Sequence, residues 1–160
     1  MKPEDSTQAT TATDPHLEAA LFLAWAKSSL DTRIGAALSR VGLALDDLRR
    51  MRIIGSYPRG LSREDLAEAM GENRSQAVRS SLPLVKLGWL VRSESGAFTL
   101  TDSGRALIDQ AEGLGEKAAS RWFADNSVDP TAVLAATAPL RNGSSVEKHV
   151  CTGVSRRLTR

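Results

Sequence analysis

The chain has 160 residues, 41% of them hydrophobic and 25% charged, proportions from which one soluble domain builds a conventional core without disulfides or metals. Aromatics are only 4%, so Leu, Ile, Val and Ala must fill that core, and a formal charge of +2 permits a nucleic-acid partner without demanding one. The single cysteine, Cys151, excludes an internal disulfide and fits a reducing compartment such as the cytoplasm, and no apolar run approaches the roughly 20 residues of a membrane helix.

Residues 1–13 are rich in Thr, Ser, Asp and Glu without periodicity and read as a mobile arm. Asp14-Pro15 then offers an N-cap followed by a proline suited to the first helical position, opening a long helix through Val41. Leu17, Leu21, Ala24, Ile34, Leu38 and Val41 form its apolar stripe. Gly42 stops it, and Leu45 begins a second helix with Leu48, Met51 and Ile54 inward and Asp46, Asp47, Arg49, Arg50 and Arg52 mostly outward. The turn cluster "GSYPRG" follows, and Ser62 with Asp65 makes a capping box for the short helix "REDLAEAM", which Gly71 ends.

Asn73 caps the next helix, "RSQAVRSSLPLVK", which runs toward Gly88. On a helical wheel Ala77, Val78, Ser81, Leu82, Leu84 and Val85 gather into one broad arc, and Ser75, Gln76, Arg79, Pro83 and Lys86 take the other. The first arc is suited to a core; the second can donate to base edges and phosphates. Pro83 lacks the amide that would reach the carbonyl of Arg79, so it belongs in the later half of the helix, beyond any base contact. "WLVRS" and "AFTLT" are short β-runs joined by Glu94-Ser95-Gly96. Thr101 caps a long helix running to Asp125, weakened by Gly113 and Gly115, and Asp129-Pro130 repeats the helix-opening pair for a last short one. The tail from residue 141 is basic, with Arg141, Lys148, Arg156, Arg157 and Arg160 against Glu147, and shows no periodicity.

Enzyme readings fare poorly. The only histidines are His16, beside the mobile arm, and His149, in the tail, so no nucleophile has an evident base. His149 with Cys151 supplies two ligands where structural zinc usually wants four. Asp46-Asp47 and Glu64-Asp65 lie in first helical turns, where carboxylates favour the helix dipole, and "GLGEKAAS" lacks the strand and spacing of a phosphate loop. The expectation is a non-enzyme without cofactor or metal. A short helix, a glycine turn, a second helix, a hairpin and a capped long helix is instead the layout of a winged helix-turn-helix: a mainly α fold with a small β-hairpin wing.

The stretches "GLALDDLRRMRII", "GLSREDLAEAMGENRSQAVRSSLPLVKLGWLVRS" and "FTLTDSGRALIDQA" resemble the multiple-antibiotic-resistance regulator (MarR) family of bacterial transcription factors, over roughly residues 15–140. The resemblance implies N- and C-terminal dimerisation helices at 14–41 and 102–140 around a DNA-binding lobe at 45–101. It also implies a homodimer on a palindromic double-stranded operator, and repression relieved by a small phenolic or lipophilic effector whose binding residues the sequence does not identify. The expected DNA-contacting residues are Ser62, Arg74, Ser75, Gln76, Arg79, Lys86 and Arg92, with Gln76 and Arg79 reading bases and Arg74 and Ser75 near phosphates. The tail 141–160 departs from the family, having no counterpart there, and reads as a flexible extension in preference to a non-specific phosphate-binding arm. Two further departures are a short wing, "RSESGAF", that carries Glu94, and apolar Val78, Leu82 and Val85 where many relatives are polar. The alternative is a winged-helix module that binds protein rather than DNA.

Overall fold

Asp14 accepts a hydrogen bond from the His16 amide at 2.9 Å and Pro15 follows, so the first helix begins where local chemistry places it. The structure, a computed structural model, describes residues 14–141; the readings made for the N-terminal arm, for His149 and Cys151, and for the tail beyond Arg141 lie outside the described residues. Helix α1 spans Pro15–Leu38 and tightens into one 3₁₀ turn, Ser39–Val41, ended by Gly42 at φ +74°. Helix α2 is Leu45–Gly55, α3 is Arg63–Met70 and α4 is Arg74–Lys86. Strands β1, Leu90–Arg92, and β2, Phe98–Leu100, form an antiparallel hairpin in the register Leu90↔Leu100, Val91↔Thr99, Arg92↔Phe98. Helices α5, Asp102–Asp125, and α6, Pro130–Arg141, complete the described chain.

Caps account for these boundaries. Ser62 accepts from the Asp65 amide at 3.1 Å, Asn73 from Gln76 at 2.9 Å and Thr101 from Gly104 at 3.0 Å. At the other end of α4 the amide of Gly88 donates to Val85 and that of Trp89 to Leu84, both at 3.0 Å, closing a Schellman motif around a left-handed glycine.

The core gathers where α2, α3, α4 and the hairpin meet, with Met51, Ile54, Leu66, Leu84, Leu90 and Phe98 buried. The hairpin is tied to this lobe by a pairing that sequence periodicity does not show: Leu61 and Phe98 exchange two backbone hydrogen bonds at 2.9 Å. Helix α5 stays continuous through Gly113 and Gly115. Gly115 is buried where Ile34 and Leu38 of α1 meet Leu48 of α2, so this contact outweighs a propensity cost of about 1 kcal/mol per glycine. At the hairpin's exit the fold demands glycine, since a Cβ on Gly104 would lie 2.2 Å from the carbonyl oxygen of Trp89.

The α1 stripe divides along its length: Ile34 and Leu38 are buried and Val41 half-buried, whereas Leu17, Leu21 and Ala24 are exposed. Helix α5 covers only the later part of α1, where Trp122 Nε1 donates to Ser29 Oγ at 2.8 Å and Arg33 pairs with Asp125. One expectation needs correction: Arg50 is 2% exposed rather than outward. On the helix circumference it falls between Ile53 and Ile54, both buried, so the flank that carries it is covered as well.

Candidate nucleic-acid interface

The exposed arc of α4 is the candidate surface, and its orientation follows from what the opposite arc buries. Ala77, Ser81 and Leu84 are fully covered, and Ser81 satisfies its hydroxyl by donating to the Ala77 carbonyl at 2.7 Å. Val78 and Val85 are half-buried on the flanks. Leu82, expected inside, is exposed; it lies about 140° round the helix from Ala77, too far to share that face. Arg74, Ser75, Gln76, Arg79, Pro83 and Lys86 are all exposed. The helix continues through Pro83 to Lys86.

Arg74, Ser75, Gln76 and Arg79 lie together in the first half of α4. Lys86 is not among them, because ten residues at the helical rise separate it from Gln76 by about 15 Å along the axis. Ser62 sits at the start of α3 with its hydroxyl engaged twice: it accepts from the Asp65 amide and donates to the Asp65 carboxylate at 2.8 Å. Arg92 leaves β1 at the base of the wing with its guanidinium over the Phe98 ring, 5.9 Å from the centroid. Glu94 is exposed in the connecting loop.

An acidic residue that the sequence reading left out of the site lies beside these cations. Glu64 takes a hydrogen bond from Arg63 at 2.9 Å and stands 3.8 Å from Arg74. The Arg63 hydrogen bond holds the pKa of the Glu64 carboxyl below its usual value, so an anion stands beside both arginines. Beneath the surface, the guanidinium of Arg50 grips the Glu72 carboxylate through two hydrogen bonds, 2.8 and 3.1 Å, and Arg49 donates to the Ala69 carbonyl at 2.9 Å. The one sequence signal for this pair is Glu72 itself, an acid just beyond a helix C-terminus, where the dipole disfavours negative charge.

Among the described residues no group of three or more His, Cys, Asp or Glu side chains is placed to hold a metal ion, and no helix is long and apolar enough to cross a membrane. Away from this surface, Leu17, Leu21, Phe22, Leu23 and Trp25 are exposed on the first half of α1, where Leu21, Phe22 and Trp25 line an open cleft of about 300 Å³.

No protein-family model and no curated protein matches the sequence. Solved structures do. A MarR family protein of Mycobacterium tuberculosis, Rv2887, is 30% identical over 66% of this chain and 79% of its own, with a TM-score of 0.59. The chain belongs to the MarR family. Two further MarR-type structures share the fold more completely at lower identity. A MarR family transcriptional regulator from Rhodococcus sp. RHA1 is 20% identical, covering 84% of this chain and 97% of its own at a TM-score of 0.72. CouR from Rhodococcus jostii RHA1, solved with p-coumaroyl-CoA, is 22% identical, covering 79% and 91% at a TM-score of 0.70. In this MarR-family chain α3 and α4 are therefore the helix-turn-helix and the β1–β2 hairpin is the wing.

Proposed function

We infer that this MarR-family chain acts as a homodimeric transcriptional regulator that binds a palindromic double-stranded operator and represses until a small phenolic or lipophilic ligand releases it. The observation that carries the reading is the division of α4: one arc is buried to fix the helix in the lobe, and the opposite arc presents Ser75, Gln76 and Arg79 at its N-terminal half, with Arg74 exposed at the first helical position, the end that a recognition helix directs at base edges. Gln76 and Arg79 are assigned to bases and Arg74 and Ser75 to phosphates, with Ser62, Lys86 and Arg92 as outlying backbone contacts. Relatives support the DNA-binding and ligand-binding parts of this reading. Rv2887 has been solved in complex with DNA and with salicylic acid, and CouR, a transcriptional repressor, with p-coumaroyl-CoA.

Dimerisation is inferred from an imbalance in apolar surface. Leu17, Leu21, Phe22, Leu23 and Trp25 on α1, with Val133 and Leu134 on α6, are exposed in the single chain, and large apolar side chains gathered within one stretch of α1 mark a surface for a partner. A second copy that crosses these helices would cover it, with 14–41 and 102–140 as the shared layer and 45–101 as the DNA-binding lobe. No step requires catalysis, and the work of such a regulator lies in the cytoplasm. The competing module that binds protein rests on the short acidic wing and on Val78, Leu82 and Val85 as one apolar stripe; Glu94 of the wing is exposed, but of the stripe only Leu82 is.

Enrichment of duplexes from a random pool by the full-length protein, followed by binding titrations across salt concentration, tests the reading. A palindromic consensus bound with a steep salt slope, and released by salicylate or an aromatic acyl thioester, is expected. Failure to enrich any duplex would sink it.

A further inference from the structure

The Arg50–Glu72 pair lies beneath the recognition surface. Arg50 is 2% exposed, so it cannot reach a nucleic acid itself. Two features argue that stability is not the reason for its presence. Removing a guanidinium and a carboxylate from water is costly, and apolar side chains of similar volume commonly do as well or better for the fold. The satisfaction is also incomplete, because Arg50 Nε is buried without a hydrogen-bond partner among the described residues.

What the pair does supply is orientation. A bidentate guanidinium–carboxylate contact sets both the distance and the plane of its partner, which a single ammonium contact does not. Glu72 occupies the middle of the turn, between Gly71, where α3 ends, and Asn73, whose side chain caps α4. On the other side, Arg50 belongs to α2, a helix that packs against α5 and reaches it again through Arg52 and Glu112 at 3.0 Å. The neighbouring Arg49 holds the Ala69 carbonyl near the end of α3. Two successive arginines of one helix thus fasten the end of α3 and the root of α4 to the scaffold.

We propose that Arg50 and Glu72 are positioning residues for sequence recognition: their fork-to-carboxylate contact sets the angle at which α4 leaves the turn, so that Gln76 and Arg79 meet base edges together. The proposal rests on the DNA-binding reading above. Loss of the fork lets the first turn of α4 shift while the phosphate-facing cations remain on the surface. Discrimination therefore falls, and binding to arbitrary DNA does not.

The test uses the full-length protein and two duplexes, one that the wild type enriches from a random pool and one with the same bases scrambled. Arg50→Lys keeps the charge and loses the fork; the double variant Arg50→Met with Glu72→Leu removes both charges and leaves the net charge unchanged. For each, the ratio of affinities for the two duplexes, the salt slope on the scrambled duplex, the thermal midpoint and the assembled mass are measured. Both variants should keep the wild-type mass, the double variant with an equal or higher midpoint, while the affinity ratio falls by about tenfold and the scrambled-duplex affinity and slope hold. A folded variant with the wild-type ratio, or an equal loss on both duplexes, overturns the positioning role while leaving the DNA reading intact. If neither variant folds, the pair serves the fold and the proposal fails. A wild-type protein that enriches no sequence defeats both readings at once.

Discussion

The winged lobe and the helical end solve the same problem in different ways. In the lobe, Met51, Leu66, Leu84, Leu90 and Phe98 come from separate elements and are covered within one chain. At the helical end the first half of α1 carries Leu17, Leu21, Phe22, Leu23 and Trp25, all more than half exposed, and α6 adds Leu134. The same residue types are finished in one region and unfinished in the other. Burial therefore depends on what a helix is placed against, and α1 passes from one condition to the other along its own length.

That contrast can be broken by charge. Ile34→Asp buries a carboxylate where α1, α2 and α5 meet and should destabilise the chain by more than about 4 kcal/mol, read by denaturant unfolding. Leu21→Asp, on the exposed half of the same helix, should leave the lobe folded and weaken self-association by about 2–4 kcal/mol, read by light scattering across concentration. Equal unfolding by the two would mean that α1 is a single folding unit and that the contrast is wrong.

Within the lobe, the exposed face of α4 can be sharpened in the same way. Arg79→Ala should cost about 1–3 kcal/mol on an enriched duplex and much less on random sequence; equal losses would make it a phosphate contact. The wing should respond more weakly. Glu94→Arg replaces an exposed anion with a cation, and a wing near DNA would then bind every duplex more tightly, with the salt slope steepened by up to about one unit per wing. An unchanged slope leaves recognition to α4. The smallest effect is expected from Glu64→Gln, which releases Arg63 and Arg74 from a competing carboxylate and should raise affinity for all sequences without altering preference.

Helix ends were legible in the chain itself because their chemistry is local. Asp14, Ser62, Asn73 and Thr101 each cap an amide two or three residues away, and Gly42, Gly71 and Gly88 adopt the left-handed conformation that ends a helix or its final turn. The two arcs of α4 are legible for the same reason, apart from Leu82, which lies about 140° round the helix from Ala77 and outside the buried face. Contacts between distant segments were not. Nothing around Leu61 announces its pairing with Phe98, and nothing around Gly104 announces the carbonyl of Trp89 against it. Arg50 reads as one more charge on an amphipathic helix until Glu72, 22 residues on, is folded against it. Local hydrogen bonds and helical periodicity are set by neighbours a few residues apart, so sequence alone determines them; burial and ion pairing depend on which surfaces meet, and only the tertiary structure decides that.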